Sequence, residues 1–453
     1  MPDSLNRTVK QLVDSGRAST FEEAERIFGG YKLHVHLAPE TASQRSAQIA
    51  LLTIIQLGKR TFLGGVEVSG TLDVPLEKGL GLEESLAAAV SSAGGLPSAG
   101  SSLPTIEIGP PAPRAASFHI RLLTAGWRAG IAAIDEPDSV SREDGYVMPL
   151  AAIAAAALAV NEAFLHVSAA TVLAGNRTTG ISLWGPQLSS WMDNDTDGPL
   201  LSYLPSSVWL LGLGHLGQAY AWGLGSLPYG AVMAERPLVV LQDIDRVTSS
   251  TFSTSVLSEC EDVGLSKARV VARWLESKGF ETRLVERIFD AATSRSRGDP
   301  DLLLSGVDNV EGRQALESAG CRMVVEAGLG SLHDDFQSIR IHTLPGSRLA
   351  ADIWSKDSGK GSATSMPAYS ALLKTGVLDQ CGLTELAGKA VGAAFVGMFA
   401  ASLVLSEVLR VLHGGNANEV MDLSLVELEH RTLVPNKIDF SRVNPGFLPV
   451  EAR

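Results

Sequence analysis

Apolar and polar positions along the chain fall into two series that run in the same order. The first follows a short preamble. Residues 1–30 carry the pattern of two short helices, with Ser19–Thr20–Phe21–Glu22–Glu23 as a helix start and Gly29–Gly30 as a stop. Tyr31–Leu37 alternates as a strand does, Ala47–Leu57 is a strongly apolar helix, Gly65–Ser69 is a second short strand, and Leu80–Ala93 reads as helical. Gly94–Pro113 is a Gly/Pro/Ser-rich loop around one short strand, Thr105–Ile108. Met148–Phe164 is an alanine-rich helix whose small side chains allow close packing, and Gly180–Trp184 returns as a strand. Strands alternating with helices predict a parallel sheet.

The polar stretch Gln187–Pro205 separates this series from the second. There a strand and helix occupy Val208–Leu224, a second strand Leu238–Gln242, and a late small-residue helix Gly388–Leu412, followed by closing strands. PLAAIAAAALAVNEAF near the end of the first series has the same flavour as GAAFVGMFAASLVLSEVLRVL near the end of the second. The pattern predicts an α/β protein built as a pseudo-duplication. Its parts are N-terminal helices over 1–30, a first half over 31–203 and a second half over 204–453.

The whole composition narrows the class. A chain of 453 residues is long enough for two domains. With 45% hydrophobic and 19% charged residues it is an ordered globular protein. Its net charge is −13 and it has no basic run, so nucleic acid is not an expected partner. Three scattered cysteines, Cys260, Cys321 and Cys381, make no disulfide framework, and without a CxxC no zinc is expected. The polar, mixed-charge N-terminus is unlike a signal peptide. The longest uncharged apolar run, Ala390–Leu405, falls short of the ~20 residues a bilayer crossing takes. A cytoplasmic protein with no membrane partner is the expectation.

Candidate chemistry concentrates in the second half. Val208–Gly217 reads VWLLGLGHLG, a strand running into Gly212, Gly214 and Gly217 and then a helix. Gly212 permits the tight turn, Gly214 lets backbone N–H groups approach a phosphate, and Gly217 lets the helix pack close to the strand. The first half has no such loop; it reads LAPETASQR instead. After the second strand comes QDIDRV, where Asp245, or else Asp243, can accept from ribose hydroxyls. Lys267, in GLSKAR at a helix start, can reach a phosphate as a point charge. The strand of DLLLSGVDNV delivers Asp308 and Asn309 to the carboxyl edge of the sheet. There a carboxylate can hold Mg²⁺, and either residue can cap the following helix. Taken alone, the glycine loop and the acidic pair also fit an NAD(P)-dependent oxidoreductase.

GLGHLG, DIDRV, GLSKAR, SGVDNVEGR and VVEAGLG, in this order and spacing, resemble the ThiF/MoeB/HesA-type ubiquitin-activating superfamily over roughly residues 204–415. The resemblance implies a Rossmann-like adenylation domain preceded by a degenerate, inactive α/β half. It implies that ATP phosphates lie on Gly212, Gly214 and Gly217, that Asp245 holds the ribose, that Lys267 contacts phosphate and that Asp308 binds Mg²⁺. It also implies a crossover segment over 352–380 and a nucleophilic thiol at Cys381, with Cys260 and Cys321 structural. The expected partner is a small β-grasp ubiquitin-like protein, with a conjugating enzyme as a further partner and room for a homodimer. A sulfur-carrier adenylyltransferase that stops at the adenylate is the variant reading.

The pattern is broken in one place that matters. Where the family carries SNLNRQ, with an arginine for the ATP phosphates, this chain reads STFSTS, and Thr254 stands in the arginine's place. By that account the chain either borrows an arginine or is a nucleotide-binding scaffold. Arg45, in the degenerate loop of the first half, is the expected substitute.

Overall fold

The computed structural model describes residues 6–98, 102–111, 116–136, 140, 144–229, 236–354, 368–369 and 386–450. Helices α1 (Lys10–Asp14) and α2 (Phe21–Gly29) come first. Glu23 N–H donates to the Thr20 hydroxyl at 3.1 Å, which caps α2.

The first half runs β1 (Leu33–Leu37), α3 (Arg45–Thr61), β2 (Val66–Gly70), α4 (Leu86–Ala93), β3 (Leu96–Pro97), β4 (Thr105–Ile108), β5 (His119–Ala125), β6 (Arg128–Ala133), α5 (Pro149–Val167) and β7 (Thr179–Ser182). The second, after β8 (Tyr203–Pro205), runs β9 (Ser207–Leu211), α6 (His215–Ser226), β10 (Leu238–Gln242), α7 (Lys267–Ser277), β11 (Glu281–Val285), β12 (Leu302–Ser305), α8 (Val310–Gln314), β13 (Met323–Leu329), β14 (Ser338–Leu344), α9 (Ala350–Ile353), α10 (Ala394–Leu412), β15 (Asn418–Ser424) and β16 (Thr432–Pro435). A last strand, β17 (Phe447–Pro449), pairs with β8.

The two sheets have one topology. Their orders are β3-β2-β1-β4-β5-β6-β7 and β11-β10-β9-β12-β13-β14-β15-β16. In each, the first five strands in chain order are parallel, the sixth and seventh return antiparallel, and one long helix sits between those two. The duplication is therefore real, but the sheets are mixed rather than parallel. A two-residue loop turns β5 back into β6, and its Gly126 has φ +54, the backbone such a tight hairpin requires. Two helices are also shorter than their patterns suggest. The Ser85 hydroxyl accepts from Ala88 N–H and starts α4 at Leu86 rather than Leu80. Backbone N–H groups of Val391 and Gly392 go to Ser331 O and Arg7 O, so α10 begins at Ala394 rather than Gly388.

The halves share one core. α5 and α10 are apolar nearly all round, and both are almost wholly buried where α3, α5, α6 and α10 meet. The Phe164 and Phe395 rings meet across this seam at 5.6 Å, and each buried ring contributes ~2 kcal/mol by removal from water. By length and composition both helices could cross a bilayer, but here their apolar surface is spent on each other.

Candidate functional site

The glycine loop closes the carboxyl end of β9. Gly212 has φ +76, and a Cβ there would lie 3.0 Å from Gly306 C and Val307 N. A Cβ on Gly217 would lie 2.0 Å from Gly212 O. These two glycines let the loop, α6 and the loop after β12 pack together. Gly214 differs. It caps α6, and the nearest atom to a Cβ there would be Lys267 Nζ at 3.9 Å. The loop is thus open at Gly214, with an ammonium group facing it.

Asp243 and Asp245 divide the labour. Leu213 N–H and Asp245 N–H donate to the two oxygens of Asp243 at 2.6 and 2.7 Å. Burial raises its pKa, against the Lys267 charge and those two amides. Asp243 therefore fixes the loop. Asp245 is exposed and pairs with Lys267 at 2.8 Å, leaving it accessible to a ligand. Asn309 is the helix cap: its side-chain oxygen accepts from Gly312 N–H at 2.6 Å. Asp308, beside it, is exposed at the sheet edge.

The arginine comes from elsewhere than expected. Arg45 is a correction. It donates to Lys78 O and Ser226 O, and Ser226 ends α6 while the glycine loop begins it. The length of a 12-residue helix, roughly 16 Å, separates Arg45 from the loop. The residue that arrives instead is Arg7, from the arm ahead of α1. Its N–H donates to Ser253 Oγ at 3.2 Å, and its carbonyl accepts from Gly392 N–H. Thr8 Oγ1 donates to Gly392 O at 2.8 Å, and Thr254 packs against Gly392. Arg7 thus lies alongside Thr254. Burial lowers its pKa and the charge of Asp308 raises it, while its buried Nε has no partner. A half-buried cation thus lies near the glycine loop with an unspent donor, which is what a bound polyanion needs.

His215, the fourth residue of GLGHLG, packs under the same arm. It is half-buried against Gly397 of α10, and its buried Nε2 has no hydrogen-bond partner. Burial first, and Arg7 second, push its pKa down to about 4. The first half braces the STFSTS loop as well. Arg60 Nη2 donates to Val256 O and Ser258 O, at 3.1 and 3.0 Å, and its guanidinium lies over Phe252. Gln218 of α6 ties Leu257 and Ser258 to Leu213 O in the glycine loop.

Arg7 was invisible as a functional residue because the first ten residues carry no motif. The available signal was indirect: a family arginine missing at Thr254 demands another cation. Cys381 and most of 352–380 lie outside the described residues. Cys260 is exposed, and burial pushes the Cys321 thiol up to about 12, which makes it inert.

A Rossmann-like second half, a matched first half and a loop–lysine–aspartate site are the features of an E1-like protein. Residues 32–183 match the BilD N-terminal domain and residues 204–415 the BilD C-terminal domain. The Bacterial E1-like protein BilD of Collimonas sp. (strain OK412) is 43% identical over 431 residues, 94% of this chain and 92% of that one. The chain belongs to this family of bacterial E1-like proteins. Among solved structures, E. coli MccB with ATP is 14% identical, with a TM-score of 0.33, over 51% of this chain and 64% of that one. E. coli tRNA N6-threonylcarbamoyladenosine dehydratase, TcdA, is 17% identical, with a TM-score of 0.30, over 46% of this chain and 86% of that one.

Proposed function

We propose that this protein adenylates the C-terminal carboxylate of a small ubiquitin-like protein with ATP and then takes the acyl group onto Cys381. One carboxylate oxygen attacks the α-phosphorus of ATP. The bond from that phosphorus to the bridging oxygen breaks, and pyrophosphate leaves with the electron pair, giving an acyl-adenylate. The Cys381 thiolate then attacks the acyl carbon and AMP leaves, giving a thioester. The chain's contribution to the first step is positioning and charge. The open backbone at Gly214 receives phosphate oxygens, Lys267 and Arg7 offset their charge, and Asp245 takes the ribose.

Mg²⁺ fits this site as a companion of the phosphates. Asp308 would hold it, and it would supply further charge neutralisation. Among the described residues no group of three or more His, Cys, Asp or Glu could hold a metal, so most ligands would be phosphate oxygens and water.

The observation that carries this reading is a glycine loop open at Gly214 toward Lys267, with Arg7 held next to the Thr254 loop. Two cations and an exposed carboxylate suit a metal-bound triphosphate. They have no task in hydride transfer, and they answer the missing arginine that favoured a mere scaffold. The test is ATP–pyrophosphate exchange dependent on a β-grasp protein ending in glycine. Asp308→Ala should lower exchange about 100-fold or more, the several kcal/mol a metal's charge supplies. Wild-type exchange in that variant would remove Asp308 from the mechanism. Cys381→Ala should keep exchange and lose the thiol-sensitive adduct; an adduct that persists would leave a protein that stops at the adenylate.

A further inference from the structure

The second sheet turns one more arginine toward the same edge. Arg313, in α8, lies one turn after Asp308. Its Nε donates to Val307 O at 2.9 Å, which ties it to the loop that carries Asp308. Its Cζ lies over the Trp354 ring, 4.1 Å from the centroid. Neither terminal nitrogen has a hydrogen-bond partner among the described residues. The buried structural arginines of this chain behave otherwise: Arg60 spends both terminal nitrogens on carbonyls, and Arg410 spends its own on Leu183 O and Glu407. Arg313 has four of its five N–H donors left over, on a side chain 12% exposed.

The surroundings hold this fork without using it. Glu326 of β13, almost fully buried, lies 3.8 Å from Arg313 Nε, too far for a hydrogen bond. Its other oxygen is engaged by His342 Nδ1 at 2.6 Å and by Trp354 Nε1, which donates at 3.1 Å. Gly328 makes the space, since a Cβ there would come within 2.9 Å of Arg313 Nη1 and 3.3 Å of Nη2. The guanidinium is thus set over an aromatic ring, charge-balanced and laid on bare backbone, with its planar donor pair unspent. That geometry suits a carboxylate.

We infer that Arg313 receives the carboxylate of the acyl donor. It holds one oxygen at the edge that bears Asp308 and leaves the other for attack. The inference rests on the adenylation reading in taking this carboxylate to be the nucleophile. Trp354, Glu326 and His342 are positioning residues, and Gly328 is the opening that admits the guanidinium.

The probe is a synthetic pentapeptide ending in Gly-Gly with a free carboxylate, and the same peptide amidated. Each is titrated calorimetrically into the full-length protein with ATP present. The wild type should bind the free acid about tenfold or more tighter than the amide, the strength of a charge-assisted pair. Arg313→Ala should erase that preference with ATP affinity unchanged within about twofold, and Arg313→Lys should restore part of it as a point charge. Gly328→Ala, which leaves the charge in place and shifts the fork, should weaken free-acid binding alone. Arg313→Ala binding the free acid like wild type, or a wild type that does not bind it or does not discriminate, overturns the assignment. Free-acid binding that depends on Arg313 without peptide-dependent pyrophosphate exchange would uphold the assignment and bring down the adenylation reading instead.

Discussion

The two halves of this molecule have the same strand order and the same long helix before the seventh strand, yet among the described residues the loop after the first strand is open toward a lysine in the second half and filled in the first. The difference lies in a few residues after the first strand of each. In the second half Gly214 leaves its loop open and Lys267 faces it. In the first, the loop begins at Ala38 and Pro39, and Thr41 fills the notch: its Oγ1 donates toward Ala38 O and Ile108 O and lies 2.6 Å from where a Cβ on Gly109 would be. The sheet faces differ too. The second sheet covers Trp209, Leu211, Leu303 and Val324 with the turn at Ala315–Ala319 and α9 as a small apolar core. The matching face of the first carries His34, His36, Thr105, Glu107, His119 and Arg121, joined by bonds such as Glu107 to His119 at 2.7 Å. The two halves share a topology, then, and differ in the loop and in the exposed face of the sheet. What the first part of the chain kept is its reach: the N-terminal arm brings Arg7 to the other half's loop, and Arg60 clamps the loop that lost its arginine.

Removing the contribution across the seam should have the largest effect. Arg7→Ala deletes a half-buried, preorganised cation, and such groups are worth about 100- to 1,000-fold in rate. Partner-dependent exchange should fall by that factor with kcat carrying most of the loss, while the unfolding midpoint changes little. Exchange within twofold of wild type would mean that the second half is self-sufficient.

A smaller effect sharpens the same comparison through pH. His215 sits in the working loop, with its pKa held at about 4, well below an ordinary histidine near 6.5. Between those values the unfolded chain takes up a proton that the folded chain does not, so stability is full above pH 6.5 and is lost as pH falls toward 4. The share from this one group is at most about 3 kcal/mol, from ~1.4 kcal/mol per pKa unit. Urea unfolding at pH 7 and pH 4.5 should show a larger drop for wild type than for His215→Asn, where no ring titrates. Equal drops would show that the loop does not hold His215 neutral.

The elements with a plain local signal were legible: β10 stands where its apolar run puts it, β4 where the flanking turn residues put it, and α2 starts at Thr20. The hairpin β5–β6 was not. Its polar positions, His119 and Arg121, lie on a largely buried polar face, so the strand lacks the plain apolar run that marks its neighbours. In the site, the placement of Asp308, Lys267 and the glycines around one sheet edge could be read because each sits in a local motif. Arg7 and Arg313 could not be assigned roles. Their importance lies in contacts between segments hundreds of residues apart, or in donors left unspent, and neither leaves a mark in sequence spacing. Asp243 shows the converse: a conspicuous acidic residue whose two oxygens are fully occupied by the loop it supports.

Arg45 gives the smallest and most discriminating contrast. It belongs to the degenerate loop of the first half, so a pairing of inactive with active loops would make it the borrowed arginine. The structure gives it another task. Its two terminal nitrogens hold Lys78 O and Ser226 O, so it braces the last turn of α6, where a cation is favourable against the helix dipole. A partly exposed contact of this kind is worth about 0.3–1 kcal/mol. Arg45→Ala should therefore lower the unfolding midpoint by a few degrees at most and leave partner-dependent exchange within about twofold, a shift expected for changes away from the reacting groups. The double variant with Arg7→Ala should behave as Arg7→Ala alone in exchange, because distant sites without shared partners act independently. A tenfold or greater loss of exchange in Arg45→Ala, with the midpoint unmoved, would reverse the roles of the two arginines. It would also mean that the first half completes the site through its own degenerate loop rather than through the arm that precedes it.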